Sequence, residues 1–127
     1  MAQNRKWPTI DIYKLFLESD TGKWNAFLTA CYQKGDLLTL QKTLYGIQAG
    51  MTDMDSNVKS QKITDFFIRI QRSIEITAKK IIRARTPSPL DNINQSKLAS
   101  LENTKHHLQV KRLRDQQFEQ FIRDISF

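Results

Sequence analysis

The residue types that most often catalyse reactions or bind metal ions are sparse in this chain of 127 residues. The two histidines, His106 and His107, are adjacent, so a helix would point them about 100° apart, whereas zinc-binding helical pairs use spacings of three or four. We expect both to be exposed to solvent. Asp53 begins a run that starts like a calcium loop, but Val58 replaces the required glycine and Thr64 the final glutamate. We therefore expect no enzyme, no metal site and no cofactor.

The one cysteine excludes a disulfide within the chain. Cys31 follows Trp24, Phe27 and Leu28 at helical spacing, which predicts a small buried thiol of the kind found in a reducing cytosol. The first residues lack the apolar stretch of a signal peptide, and no run approaches the roughly 18 apolar residues of a membrane span. These features predict a cytoplasmic or otherwise intracellular protein with no membrane partner.

The positive charge of the chain is concentrated in one segment. Lys and Arg number 20 against 13 Asp and Glu, which gives a net charge of +7. Residues 1–55 hold six basic and six acidic side chains, and residues 86–127 hold six and five. Residues 56–85 hold eight basic side chains and only two acidic ones. The excess charge therefore belongs to about 30 residues that the hydrophobic spacing predicts to be a single long helix.

The basic side chains of that helix fall on the face opposite its apolar stripe, over about 30 Å at about 1.5 Å per residue. Side chains spaced in this way can reach successive phosphates of a nucleic acid, with counterion release as the driving force. A second basic cluster would extend the surface if the last helix folds back antiparallel. The predicted contacts are Lys62, Arg69, Arg72, Lys79, Lys80 and Arg83, followed by Lys111, Arg112 and Arg114.

The two acidic residues of this segment each precede a basic residue by one turn, so we expect ion pairs between Asp65 and Arg69 and between Glu75 and Lys79. A charged outer face is also typical of any soluble amphipathic helix, although the bias of eight to two is not. Two functions stay open. One is a non-enzymatic accessory or regulatory protein that binds DNA or RNA without sequence specificity. The alternative is a protein-interaction module, an adaptor, inhibitor or assembly subunit, that pairs its long helices with a partner or a second copy.

The elements that position these residues are all predicted to be helical: an all-α helical bundle in which three short N-terminal helices pack on a long two-helix hairpin, as a single domain over 1–127. The neutral part, 1–55, holds the three short helices. The first follows Thr9, the second spans about 22–34 and stops at Gly35, and the third follows Asp36. We expect Gly46 and Gly50 to weaken the last turn of the third helix.

The hairpin is divided by prolines. The long basic helix should begin after Asp55 and occupy 56–85, because Pro87 and Pro89 forbid its continuation. A linker at 86–95 leads to a C-terminal helical region at 96–127. The apolar residues of that region do not share one face, since Leu101 and Leu108 fall on one stripe and the phenylalanines near the end fall on another. We expect either a bend or two separate contact surfaces there.

Overall fold

The computed structural model describes residues 7–91 and 101–125, and in these ranges it contains α-helices and no strand. The predicted all-α fold class is confirmed. Five helices follow one another along the chain: α1 Ile12–Leu17, α2 Thr21–Lys34, α3 Leu37–Asp53, α4 Gln61–Arg85 and α5 Leu101–Arg123.

Side-chain caps fix where the first four helices begin. Asp11, Asp20, Asp36 and Ser60 each accept a hydrogen bond from the backbone N–H three residues later. Asp36 also accepts one from the Thr39 hydroxyl at 2.6 Å, and this bond lowers the pKa of the Asp36 carboxyl. α2 ends as predicted at Gly35, which has a φ of 63° that disfavours a side chain.

α4 is the central element of the bundle, because each of the other four helices packs against it. Its inward face supplies much of the core, and α5 returns antiparallel along one side. Phe118 of α5 lies beside Lys79, and Arg114 lies beside Thr86, so residue numbers rise along α5 as they fall along α4. The fully or nearly fully buried apolar residues of α4 are Ile63, Phe66, Ile70, Ile74, Ala78, Ile81 and Ile82.

An extended segment before α1 docks on two glycines of α3. The backbone N–H of Ile10 donates to the carbonyl oxygen of Gly46 at 2.9 Å. A Cβ atom added at Gly46 would lie 2.6 Å from the carbonyl oxygen of Pro8, and one added at Gly50 only 1.7 Å from that of Ile10. Neither glycine ends the helix, since α3 continues to Asp53, and both make room for the segment. Their effect on the stability of the last turn stays a prediction.

The first helix begins two residues later than predicted. Asp11 rather than Thr9 caps α1, and Ile12 is fully buried. Tyr13 and Leu17 are 43% and 63% exposed. The residues before the helix instead pack on α3, where the backbone N–H of Ile10 donates to the carbonyl oxygen of Gly46.

α4 begins five residues later than the predicted residue 56. Asp55 directs a turn instead, since its carboxylate accepts from Asn57 N at 2.9 Å and its carbonyl oxygen accepts from Val58 N. Ser60 then caps the helix through Ile63 N at 3.2 Å. The predicted end at residue 85 is confirmed, as Arg85 is the last helical residue.

α5 runs as one helix and uses two faces differently. Leu101 and Leu108 are 72% and 55% exposed, whereas Phe121 and Ile125 are buried against the core. Only the surface near the end of the chain packs on the core, and a second contact surface at the exposed leucines stays a prediction. Residues 92–100 and 126–127, which include part of the predicted linker and the predicted helix ends, lie outside the described residues.

Candidate nucleic-acid interface

The outer face of α4 is open between two flanking helices. On one side, the indole Nε1 of Trp24 in α2 donates to the Ser73 hydroxyl at 2.9 Å. On the other side, the Phe118 ring of α5 lies under the Lys79 ammonium at 4.7 Å from the ring centroid. Every predicted cation of α4 is exposed between these contacts. We call this set the α4 ridge: Lys62, Arg69, Arg72, Lys79, Lys80 and Arg83.

Neither predicted ion pair along the α4 ridge forms within the described residues. Asp65 instead accepts a hydrogen bond from Gln61 Nε2 at 2.8 Å, and Glu75 accepts one from Gln71 Nε2 at 3.2 Å. Each carboxylate is thus held by an amide one turn earlier rather than by a cation one turn later. Arg69 and Lys79 therefore lack the direct carboxylate contacts that the sequence predicts, although the charges of Asp65 and Glu75 stay on α4.

The positive surface continues from α4 onto one side of α5. Arg83 is 62% exposed and lies 3.4 Å from the Asp91 carboxylate, a loose pairing. Lys111 is exposed and precedes Phe118 by seven residues, two helical turns, so it projects from the side of α5 that meets Lys79. Arg112 is also exposed, but helix geometry turns it about 100° further from α4. Lys111 is thus exposed beyond the end of α4 on the side of α5 that meets it, whereas Arg112 faces further away.

Arg114 differs from its prediction as a surface cation, because its guanidinium is used inside the protein. Its side chain is only 14% exposed. Nη2 donates to the carbonyl oxygen of Thr86 and to the Asp91 carboxylate, both at 2.6 Å, and Nε donates to the same carbonyl oxygen at 3.1 Å. This carbonyl oxygen lies just past the end of α4, so Arg114 ties α5 to the end of the long helix.

Asp91 and His107 complete this anchor, a role that the sequence does not predict for either residue. The hydrogen bond from Arg114 holds the pKa of the Asp91 carboxyl below its usual range. Asp91 also accepts from Ser88 N at 2.9 Å, and the Ser88 hydroxyl lies 2.5 Å from His107 Nδ1. The prediction of an exposed His107 is therefore wrong, since the ring is half-buried. Asp91 follows α4, whereas His107 and Arg114 lie in α5. Helical spacing in the sequence therefore cannot predict that these side chains meet.

Two exposed isoleucines lie among the cations of the ridge. Ile68 is 46% exposed and Ile76 is 48% exposed. They line a shallow depression on the outer face of α4 together with two cations, one carboxylate and one hydroxyl: Arg69, Arg72, Asp65 and Ser73. A helical projection at about 100° per residue places both among the basic residues, so the sequence did carry this signal.

The described residues offer little for metal or nucleophilic chemistry. In residues 7–91 and 101–125, no three His, Cys, Asp or Glu side chains are grouped so as to hold a metal ion. Cys31 is 4% exposed, and burial raises the pKa of its thiol, which disfavours the reactive thiolate. The property of the α4 ridge that suits ligand binding is its row of exposed cations.

Comparison with protein-family models, with curated proteins and with solved structures finds no match to this chain. Among the described helices, none combines the length and the apolar character needed to cross a lipid bilayer.

Proposed function

We propose that this chain is a small, non-enzymatic, intracellular accessory or regulatory protein that binds nucleic acid through the phosphate backbone. The observation that carries the proposal is the α4 ridge, six exposed cations on one face of one helix. Only Arg83 has a carboxylate close by within the described residues. Lys111 extends the same surface from α5, and Arg114 has no part in it.

The ridge suits phosphate binding without sequence readout. Its cations span about 30 Å along α4, so they can contact several phosphates at once. About six such contacts would give a slope near −5 for the logarithm of affinity against the logarithm of salt, or about a thousandfold loss of affinity between 50 and 200 mM salt.

Fluorescence anisotropy with labelled DNA and RNA of mixed sequence tests the proposal. The variant Arg69→Gln/Arg72→Gln/Lys79→Gln/Arg83→Gln should lose most binding and flatten the salt dependence, because four phosphate contacts are removed. The matched control is Lys14→Gln/Lys23→Gln/Lys34→Gln/Lys42→Gln, which removes four exposed cations from the neutral part of the chain. This control should bind nearly as well as the natural chain. Equal losses in both variants would mean that net charge, and not the ridge, attracts nucleic acid. Absence of binding at 50 mM salt would overturn the proposal.

The exposed leucines of α5 support a second candidate, a protein-interaction module. Leu101 and Leu108 are seven residues apart on one outward stripe and are the most exposed leucines of α5. Light scattering of the purified chain, with the Leu101→Lys/Leu108→Lys variant beside it, tests this role. Self-association that the variant abolishes would favour it, whereas a monomer in both samples together with salt-dependent nucleic-acid binding would favour the ridge.

A further inference from the structure

We infer that the ridge binds double-stranded DNA by lying across the mouth of the minor groove, with cations on both phosphate strands and Ile76 facing the groove between them. This inference rests on the proposed function and specifies its ligand. Three observations lead to it: the grouping of the cations along α4, the position of the exposed isoleucines, and the helices that flank α4.

Five of the six cations of the ridge form two groups with a gap between them, and Lys62 stands apart, seven residues before Arg69. Arg69 and Arg72 form the first group, and Lys79, Lys80 and Arg83 form the second. Arg72 and Lys79 are seven residues apart, which is about 10 Å along the helix axis. The minor groove of DNA is about 6 Å wide, so long basic side chains on each side of such a gap can reach the phosphates of both strands.

Ile76 occupies the middle of this gap and is 48% exposed, beside a shallow depression that Arg72 also lines. A surface that bound phosphates alone would gain nothing from an apolar side chain at this point. Proteins that bind the minor groove frequently insert apolar side chains, isoleucine and leucine among them, between base steps there. In an RNA duplex the minor groove displays 2′-hydroxyls, to which isoleucine offers no hydrogen bond. The apolar side chain therefore favours DNA.

The flanking helices exclude deeper insertion. α2 contacts α4 through Trp24 and Ser73, and α5 contacts it through Phe118 and Lys79. A recognition helix must protrude to enter the major groove, which is about 8.5 Å deep. Because neighbours lie on both sides of α4, only its side chains can project into a groove. Side chains that contact phosphates and make no hydrogen bonds to the bases do not distinguish one DNA sequence from another. The proposed function is binding of this kind.

The aromatic residues of the hairpin favour a duplex over a single strand. Proteins that bind single strands stack successive bases on exposed aromatic rings. Among the described residues of α4 and α5, Phe66 and Phe121 are buried, and Phe118 has its ring covered by Lys79. Phe67 packs against the core. The outer face of α4 presents isoleucine where a single-strand binder would present a ring.

Anisotropy titrations with four labelled probes test the inference: a 30-base-pair DNA duplex, its single strand, the RNA duplex of the same sequence and the RNA single strand. We expect the DNA duplex to bind at least fivefold more tightly than any other probe. Ile76→Ser should weaken duplex DNA binding about three- to tenfold and leave the salt slope unchanged, because no phosphate contact is lost. The matched control is Leu113→Ser, which changes a similarly exposed residue of α5 and should bind normally. A ligand that occupies the minor groove should displace the protein.

The outcomes separate the two proposals. No binding to any probe would overturn the proposed function and this inference together. Binding in which a single strand or the RNA duplex equals or exceeds the DNA duplex, or in which Ile76→Ser has no effect, would overturn only the inference. If Ile76→Ser altered the sedimentation equilibrium of the free protein and not its DNA affinity, the isoleucines would belong to an interface between copies of this chain. Circular dichroism and urea midpoints equal to those of the natural chain verify that each variant is folded.

Discussion

The two long helices carry similar basic clusters and use them differently. All the cations of the α4 ridge point to solvent, whereas α5 turns Arg114 inward and leaves Lys111 and Arg112 exposed. α4 has a continuous apolar stripe, and that stripe determines which residues face the solvent. The middle of α5 is mostly polar, so its orientation depends on contacts with the end of α4. A basic residue in a sequence can therefore be assigned to a surface only where apolar neighbours define the opposite face.

The largest expected effect tests the apolar stripe of α4. Phe66→Ala should lower the free energy of unfolding by about 3–5 kcal/mol, because the ring is buried and its removal leaves a cavity. Phe67→Ala should cost clearly less, since this ring is only half-buried. Urea denaturation of both variants measures the difference. Equal losses would mean that the orientation of α4, and with it the outward direction of the ridge, is incorrect.

The next prediction tests the inward arginine of α5. Arg114→Ala should lower the free energy of unfolding by about 2–4 kcal/mol, because it leaves the Thr86 carbonyl oxygen and the Asp91 carboxylate without their donor. Arg112→Ala, which removes an exposed cation two residues away, should change stability by less than about 0.5 kcal/mol. Thermal or urea unfolding would reveal the contrast, and similar values for the two variants would contradict it.

The free energy of unfolding should also depend on pH through the bond between Arg114 and Asp91. This effect is smaller than that of Arg114→Ala, because Arg114 also bonds to Thr86. The pKa of Asp91 is lowered in the folded protein, so its contribution is present above the unfolded pKa of about 4 and is lost as pH falls through the folded pKa. Asp91→Asn should be less stable than the natural chain at pH 7, and the difference should narrow below about pH 4. Urea midpoints across pH 3–7 measure it. A difference that stays constant over this range would exclude the ion pair as its source.

The smallest effect concerns the contact between the two helices on the ridge itself. Lys79→Gln should cost about 0.5–1 kcal/mol, because it removes a cation from the face of the Phe118 ring. Lys80→Gln should have almost no effect on stability, since no ring of the described residues lies against Lys80. Differential scanning calorimetry can resolve the two. If Lys80→Gln were more destabilising than Lys79→Gln, the contact of Lys79 with the Phe118 ring would not be what stabilises the packing of α5 on α4.

The sequence predicted the fold wherever local patterns were decisive. The stop at Gly35, the cap at Asp36, the end of α4 before Pro87 and the outward direction of its cations all depend on residues within a few positions. The start of α4 could not be predicted because Asp55 and Ser60 are both good helix caps, and only the packed structure selects the second. The roles of Gly46 and His107 depend on contacts between distant parts of the chain, for which helical spacing contains no information.

The extended segment at residues 8–10 also affects the order in which the chain can be built. Gly50 follows Ile10 by 40 residues, and the glycine surface of α3 is complete only once that helix has formed. At synthesis rates of about 5–20 residues per second, the segment spends about 2–8 s without the surface on which it docks. During that time Ile10 and Ile12 have no place to be buried. The first described residues of the chain therefore acquire their native surroundings only after α3 has been made.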